Sequence, residues 1–168
     1  MDAQGQLDGF LAKFAPEVEA LARTLIDRMR ARLPGAAIIV YDNYNSLAIG
    51  FGPTEKASHA ILSLAVFPRW VTLHFLDGAG LPDPGAILRG DGARVRHVRL
   101  HTPDALDDPR LEALIAKAVA RSEPPFDAAA GQRLMIKSIS AKQRPRRPAA
   151  EAAEAAAPGP PPAPPGTG

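Results

Sequence analysis

Apolar residues along the chain repeat with two different periods, and the switch between them predicts the architecture. Val18, Leu21, Ala22, Leu25, Ile26, Met29 and Leu33 recur at spacings of three and four, with Glu17, Arg23, Asp27, Arg28, Arg30 and Arg32 taking the other positions. That is the stripe of an amphipathic helix. Pro16 opens it at a position where a missing N–H is harmless, and Pro34-Gly35 closes it. Upstream, Asp8 is placed to cap a short turn running through Phe14. A further helix is predicted from the Asp108-Pro109 start to about Arg121, with Leu111, Leu114, Ile115, Ala118 and Val119 on one face and Pro124-Pro125 ending it.

Between these helices the period falls from 3.6 to 2, as in strands packed on one side. Ala36 to Asp42, Ser46 to Phe51, His59 to Phe67, Trp70 to Leu76 and Arg94 to Leu100 read as strands, separated by turn residues such as Asp42-Asn43, Gly52-Pro53, Pro68-Arg69 and Gly90-Asp91-Gly92. Leu134 to Ile139 reads either as a last strand or as a segment lying across an edge. Short connections favour antiparallel pairing, and Phe67 to Trp70 is a tight hairpin. The predicted fold class is α+β: an antiparallel sheet of four to six strands with helices packed on one face, within a domain spanning residues 1–140.

Alternation also predicts what the other face of the sheet shows. With Leu47, Ile49, Phe51, Leu62, Leu64, Val66, Val71, Leu73 and Phe75 turned to the helices, the opposite face receives Ser46, Ala48 and Gly50, then His59, Ile61, Ser63 and Phe67, then Trp70, Thr72 and His74. From the next strand it receives either His97 and Arg99 or Arg94 and Arg96. Small residues beside one tryptophan, imidazoles and guanidiniums suit a planar or anionic ligand; a plain wet sheet face would carry a similar mixture. Tyr41 and Tyr44, in the cluster Tyr41 to Asn45, either stack a ligand or cover a core edge. The candidate ligand-binding set is therefore Tyr41, Tyr44, His59, Trp70, His74, Arg96 and Arg99.

Composition narrows the chemistry. The 168 residues contain no cysteine, which removes disulfides, thiolate metal sites and cysteine nucleophiles. No apolar run approaches the ~18 residues of a membrane helix, and Asp2 and Gln4 stand where a leader would be basic and apolar, so a soluble cytoplasmic protein without a membrane partner is expected. Residues 1–136 carry 15 basic and 16 acidic side chains, against five and two in 137–168. The pI of about 9.2 thus owes much to Lys137, Lys142, Arg144, Arg146 and Arg147. From Pro145 onward 16 of 24 residues are Ala or Pro, too little apolar surface to offset ordering entropy, so residues 141–168 read as a disordered tail, basic and then Ala/Pro-rich. Ala149 to Ala157 is too short for a stable isolated helix, and Pro160 to Pro165 suits polyproline II. Lys142, Arg144, Arg146 and Arg147 could meet phosphates. With no aromatic interleaved to stack bases, they read first as a solvated flank.

Individual motifs yield no reaction. His97 and His101 are four apart, but on a strand that is roughly 13 Å, too far to share a metal ion. His59 and His74 could meet across neighbouring strands, without a third ligand in view. Gly50 to Ser58 lacks the second glycine before its lysine that a phosphate loop needs, and Gly50-Phe51-Gly52 lacks a dinucleotide fingerprint's third glycine. No serine sits in a nucleophile elbow. Asp107 and Asp108 read as helix cap and dipole partners. No catalytic residue, metal ligand or cofactor is assigned, and the chain reads as a non-enzymatic module that binds a small molecule or a protein partner on its open sheet face.

The order of pieces also resembles a known family. A short helix, a Pro-initiated helix closing with Leu33-Pro34-Gly35, a strand around Val40-Tyr41-Asp42, the hairpin LSLAVFPRWVTLHF from Leu62 to Phe75, the segment LRGDGARVRHVRL from Leu88 to Leu100 and a final amphipathic helix resemble the YdhG-like domains, a family of unknown function. The likeness covers residues 8 to 122 of the sequence, and LMIKSISAKQRPRRP is similar to the tail of a proteobacterial-type branch. The resemblance implies helices packed on an antiparallel sheet. One branch is described as frataxin-like, supplying iron from acidic surface residues, which makes iron binding an alternative. Here the long helix sets Glu17, Glu19 and Asp27 against Arg23, Arg28, Arg30 and Arg32, so the acidic ridge such a role needs is missing.

Overall fold

The computed structural model describes residues 1–148. Helix α1 (Ala3–Leu11) is followed by α2 (Pro16–Arg32), then by strands β1 (Ala37–Asp42), β2 (Leu47–Gly52), β3 (Leu62–Val66), β4 (Val71–Phe75) and β5 (Arg96–Leu100), helix α3 (Pro109–Ala120) and strand β6 (Arg133–Ile139). The six strands form one sheet in the order β5-β4-β3-β2-β1-β6. The α+β class and the packing of helices on one sheet face hold. No helix among the described residues is long and apolar enough to cross a membrane.

Two local expectations are corrected. Asp8 does not cap a turn. It lies inside α1, whose N-cap is Asp2, with Oδ1 accepting from the Gly5 backbone N–H at 2.8 Å. The helix starts there because Leu7, Phe10 and Leu11 then fall on one buried face. Asp8 instead accepts from Arg23 of α2 at 2.9 Å, which holds its carboxyl below the usual aspartate value. The second correction concerns the sheet, which is mixed. β1 to β5 pair antiparallel, whereas β6 runs parallel to β1. The chain leaves β5 at one edge, crosses through α3 and returns at the opposite edge in the direction of β1, a connection too long to be a hairpin. Leu134 to Ile139 is thus a strand. Its segment passes so close to the α2–β1 turn that a Cβ on Gly35 would lie 2.2 Å from the Asp127 carbonyl oxygen.

One apolar core joins Leu25, Ile26 and Met29 of α2 and Leu111 and Leu114 of α3 to the inward row of each strand, including Ile38, Ile49, Leu64 and Leu73. Every one of these is at most 3% exposed, so each contributes on the order of 1.5–3 kcal/mol of apolar burial. A residue is added to β6 between the partners of Val40 and Tyr41, leaving Lys137 outside the ladder. Beyond it, Ser140 donates to the Asp42 carbonyl at 2.8 Å, steering the chain toward the β1–β2 turn.

Candidate functional site

Pairing register fixes which side chains share the face away from the helices. One row runs Tyr41, Ala48, Ala65, Thr72, Arg99; the next runs Ile39, Gly50, Ser63, His74, His97. Phe67 donates to the Trp70 carbonyl at 2.9 Å and closes the β3–β4 hairpin, which places both rings on this same face at the sheet's end. Alanine, glycine and serine form the floor, and larger groups stand on either side of it. The guanidinium of Arg99 lies 4.3 Å from the centre of the Trp70 ring, and the Phe67 ring centre is 5.6 Å from it. His74 faces His97 with ring centres 5.7 Å apart. Burial first, and then the neighbouring His97, lower the His74 pKa from its ordinary 6.5, so the His74 imidazole favours its neutral form.

Not all seven predicted ligand residues come together. Trp70, His74 and Arg99 share the open face as predicted, with Tyr41 at its far side. Arg96 does not. It pairs with Phe75 on the inward row and turns its guanidinium onto the Gly92 and Val95 carbonyls. Residues three apart on a strand point to opposite faces, so Arg96 and Arg99 cannot both belong to one surface. His59 is also elsewhere. β3 starts at Leu62, and His59 lies in a preceding 3₁₀ turn with Nδ1 2.8 Å from the Thr54 hydroxyl. The partner of His74 is therefore His97, not His59. His59 instead borders a separate cavity of about 370 Å³ at the other end of the sheet, together with Arg94 and Arg121. Tyr44 projects from the β1–β2 turn, 49% exposed.

The basic run is the main correction. Residues 141–148 are not a loose tail; they lie fastened across the β1–β2 turn. Arg146 enters the protein and donates to Asp42 Oδ1 at 2.9 Å, with its guanidinium 5.7 Å from the Phe14 ring centre. Only 1% of Asp42 and 5% of Arg146 is exposed. Lys13 Nζ approaches the other carboxylate oxygen of Asp42 at 3.9 Å. Arg144 donates its backbone N–H to the Tyr44 carbonyl at 2.8 Å, and its guanidinium sits 5.7 Å from the centre of that ring. Arg147 Nε donates to the Lys13 carbonyl at 3.2 Å, while Lys142 is exposed. The readings for residues 149–168 lie outside the described residues.

Fastening this segment creates a site. Between it and the β3–β4 hairpin lies an open cleft of about 870 Å³, lined by Phe67, Arg69 and Trp70 on one side, Arg144 and Arg147 on the other, and Asn45 at the β1–β2 turn. No carboxylate lines it among the described residues. The contrast with the helical side is marked. There Arg23, Arg28, Arg32 and Arg110 pair with carboxylates within 3.4 Å and Arg30 donates to the amides of Gln4 and Gln132, whereas Arg69, Arg99, Arg144 and Arg147 have no ion-pair partner among the described residues. Like charges gathered without counter-charges make a local positive potential. Planar guanidiniums beside half-buried aromatic rings can hold an anion and a flat group at once.

Alternation put Phe67 on this face and offered His97 as one of two choices for it, although neither entered the candidate set, whereas Arg69 and Asn45 read only as turn residues. A usable signal for the fastening was present: Ile38, Val40 and Asp42 share one parity, which puts an acid in the buried row and calls for a cation to meet it. Compared with known proteins, the chain matches no family model, no curated protein and no solved structure.

Proposed function

We propose that this protein is a non-enzymatic binding module that takes an anionic ligand bearing a flat group at the Trp70 end of its open sheet face. The supporting observation is the Arg99 guanidinium stacked on Trp70 beside a roomy cleft whose other arginines lack carboxylate partners. Arg99 lies in β5 and Trp70 immediately precedes the neighbouring β4, in a hairpin turn closed by the Phe67 N–H, so both are positioned before binding. Kinship with the YdhG-like domains, inferred from the order of hairpin, glycine-basic segment and amphipathic helices, and a cytoplasmic location belong to the same proposal. The iron-binding alternative gains nothing: among the described residues no three His, Asp or Glu side chains gather where they would hold a metal ion.

Trp70 is the sole tryptophan, so intrinsic fluorescence reports directly on the site. Titration with a nucleoside monophosphate, an anion with one flat ring system, is expected to quench it saturably in the wild type, with the saturable phase lost in Arg99→Ala. Absence of saturable quenching would remove the reading.

A further inference from the structure

We infer that the physiological occupant of this cleft is a single-stranded nucleic acid, bound across it from the Trp70 platform to Tyr44. The inference rests on the anionic, flat-ligand reading above and extends it from one ring to several. Three features bear on the choice between a strand and a lone small molecule. The first is size: the cleft, about 870 Å³ and open, admits either.

The second is the presence of two separate aromatic platforms. Phe67 and Trp70 belong to the β3–β4 turn and Tyr44 to the β1–β2 turn, neighbouring hairpins at the same end of the sheet, about two strand spacings or roughly 10 Å apart. Each platform has its own guanidinium, Arg99 for Trp70 and Arg144 for Tyr44. One ring system cannot reach both, whereas successive bases on a flexible backbone can. Stacking of this kind tolerates any base, because every base has a π-face.

The third is charge. Arg69, Arg144 and Arg147 line the cleft beside Trp70, where the phosphates of a strand leading toward Tyr44 would lie, and no carboxylate lining the cleft competes for them. The basic run alone contains no aromatic. The fold supplies the rings from two hairpins much earlier in the chain, and it does so by burying Arg146 against Asp42. A duplex would hide the base faces that Trp70 and Tyr44 need, and an acidic peptide would satisfy the arginines but leave both platforms unused.

The test uses the full-length chain and five probes: an eight-nucleotide uridine RNA, uridine monophosphate, a double-stranded RNA of the same length, a polyaspartate peptide and inorganic polyphosphate. Trp70 fluorescence and the anisotropy of labelled probes are both read. The octanucleotide is expected to quench Trp70 saturably and to bind at least ~10-fold tighter than the monophosphate, as an added stacked base would give. With three to four phosphates neutralised, its affinity should weaken roughly 20- to 50-fold between 50 and 200 mM salt. Tyr44→Ala, an exposed position, should weaken the octanucleotide while leaving the monophosphate unchanged. Duplex, polyaspartate and polyphosphate should not quench.

If the monophosphate quenches but the octanucleotide gains nothing over it, the strand inference fails and the single-ring reading survives. Polyaspartate or duplex binding as tightly as the octanucleotide would also overturn the inference. If no probe quenches, both readings fall.

Discussion

Arg144 and Arg146 stand two residues apart in one basic run, and the fold gives them opposite roles. Arg146 is buried, bonded to Asp42 and packed near Phe14; Arg144 is exposed, lying near Tyr44 at the lip of the cleft. The same side chain at alternate positions thus fastens the segment and arms it. A guanidinium taken out of water must be matched by a carboxylate, because an unmatched buried charge is strongly unfavourable. A guanidinium left in water needs no such match and stays available to a ligand. In this protein the carboxylates are spent on structure, at Asp42, Asp8 and Asp107, and the cleft has none.

The largest effect that could break this comparison is on stability. Arg146→Ala would leave the Asp42 carboxylate with only Lys13 nearby and should cost about 3 kcal/mol in urea unfolding, toward the low end for a broken buried pair. Against total stabilities of roughly 5–15 kcal/mol this is a large share. Replacing both partners, Asp42→Leu with Arg146→Met, should recover most of it. A neutral Arg146→Ala would mean that the run is not fastened as described.

Next in size is Trp70→Ala, which should weaken octanucleotide anisotropy binding by about tenfold or more, given ~1–3 kcal/mol for a stacked base, while shifting the unfolding midpoint less than Arg146→Ala does. Smaller still, Arg144→Ala and Arg69→Ala should each reduce the salt slope of binding by about 0.7, with stability changed by no more than about 0.5 kcal/mol. If Arg144→Ala destabilised the protein as much as Arg146→Ala, the division of roles between them would be wrong.

The smallest effect concerns pH. His74 is held below its ordinary pKa of 6.5 by burial and by His97, so the unfolded chain binds its proton more readily than the folded one. Its contribution to stability is therefore present above pH 6.5 and is lost as pH falls through the lowered folded value. Unfolding curves collected on either side of pH 6.5 should show this acid loss in the wild type and a shallower dependence in His74→Gln.

The sheet's alternation was readable because each antiparallel strand buries one parity and shows the other. That is why Trp70, His74 and Arg99 could be named together from spacing alone. The same rule shows why Arg96 could not join Arg99, since three residues of separation reverse the face. The direction of β6 was not readable, because a strand's pattern is the same whether it runs parallel or antiparallel, and only the crossover through α3 decides it. The cleft was hidden for a different reason. Its walls are the β3–β4 hairpin and a later segment that is fastened to the end of β1 by a pair 104 residues apart, and composition alone assigned that segment to solvent. The helix cap at Asp2 rather than Asp8 reflects a smaller ambiguity, since an aspartate six residues further on could cap equally well until Leu7, Phe10 and Leu11 are seen to need one face.

The most direct test of the central claim is a ¹⁵N-labelled spectrum of the full chain, in which the Trp70 indole N–H gives a single resolvable signal. On adding the uridine octanucleotide, that signal and the backbone amides of Arg69, Arg99, Tyr44 and Arg144 should shift together and saturate, while those of His59 and Arg121 at the opposite cavity stay in place. Shifts confined to the His59 end, or an indole signal unmoved at saturating probe, would contradict the account.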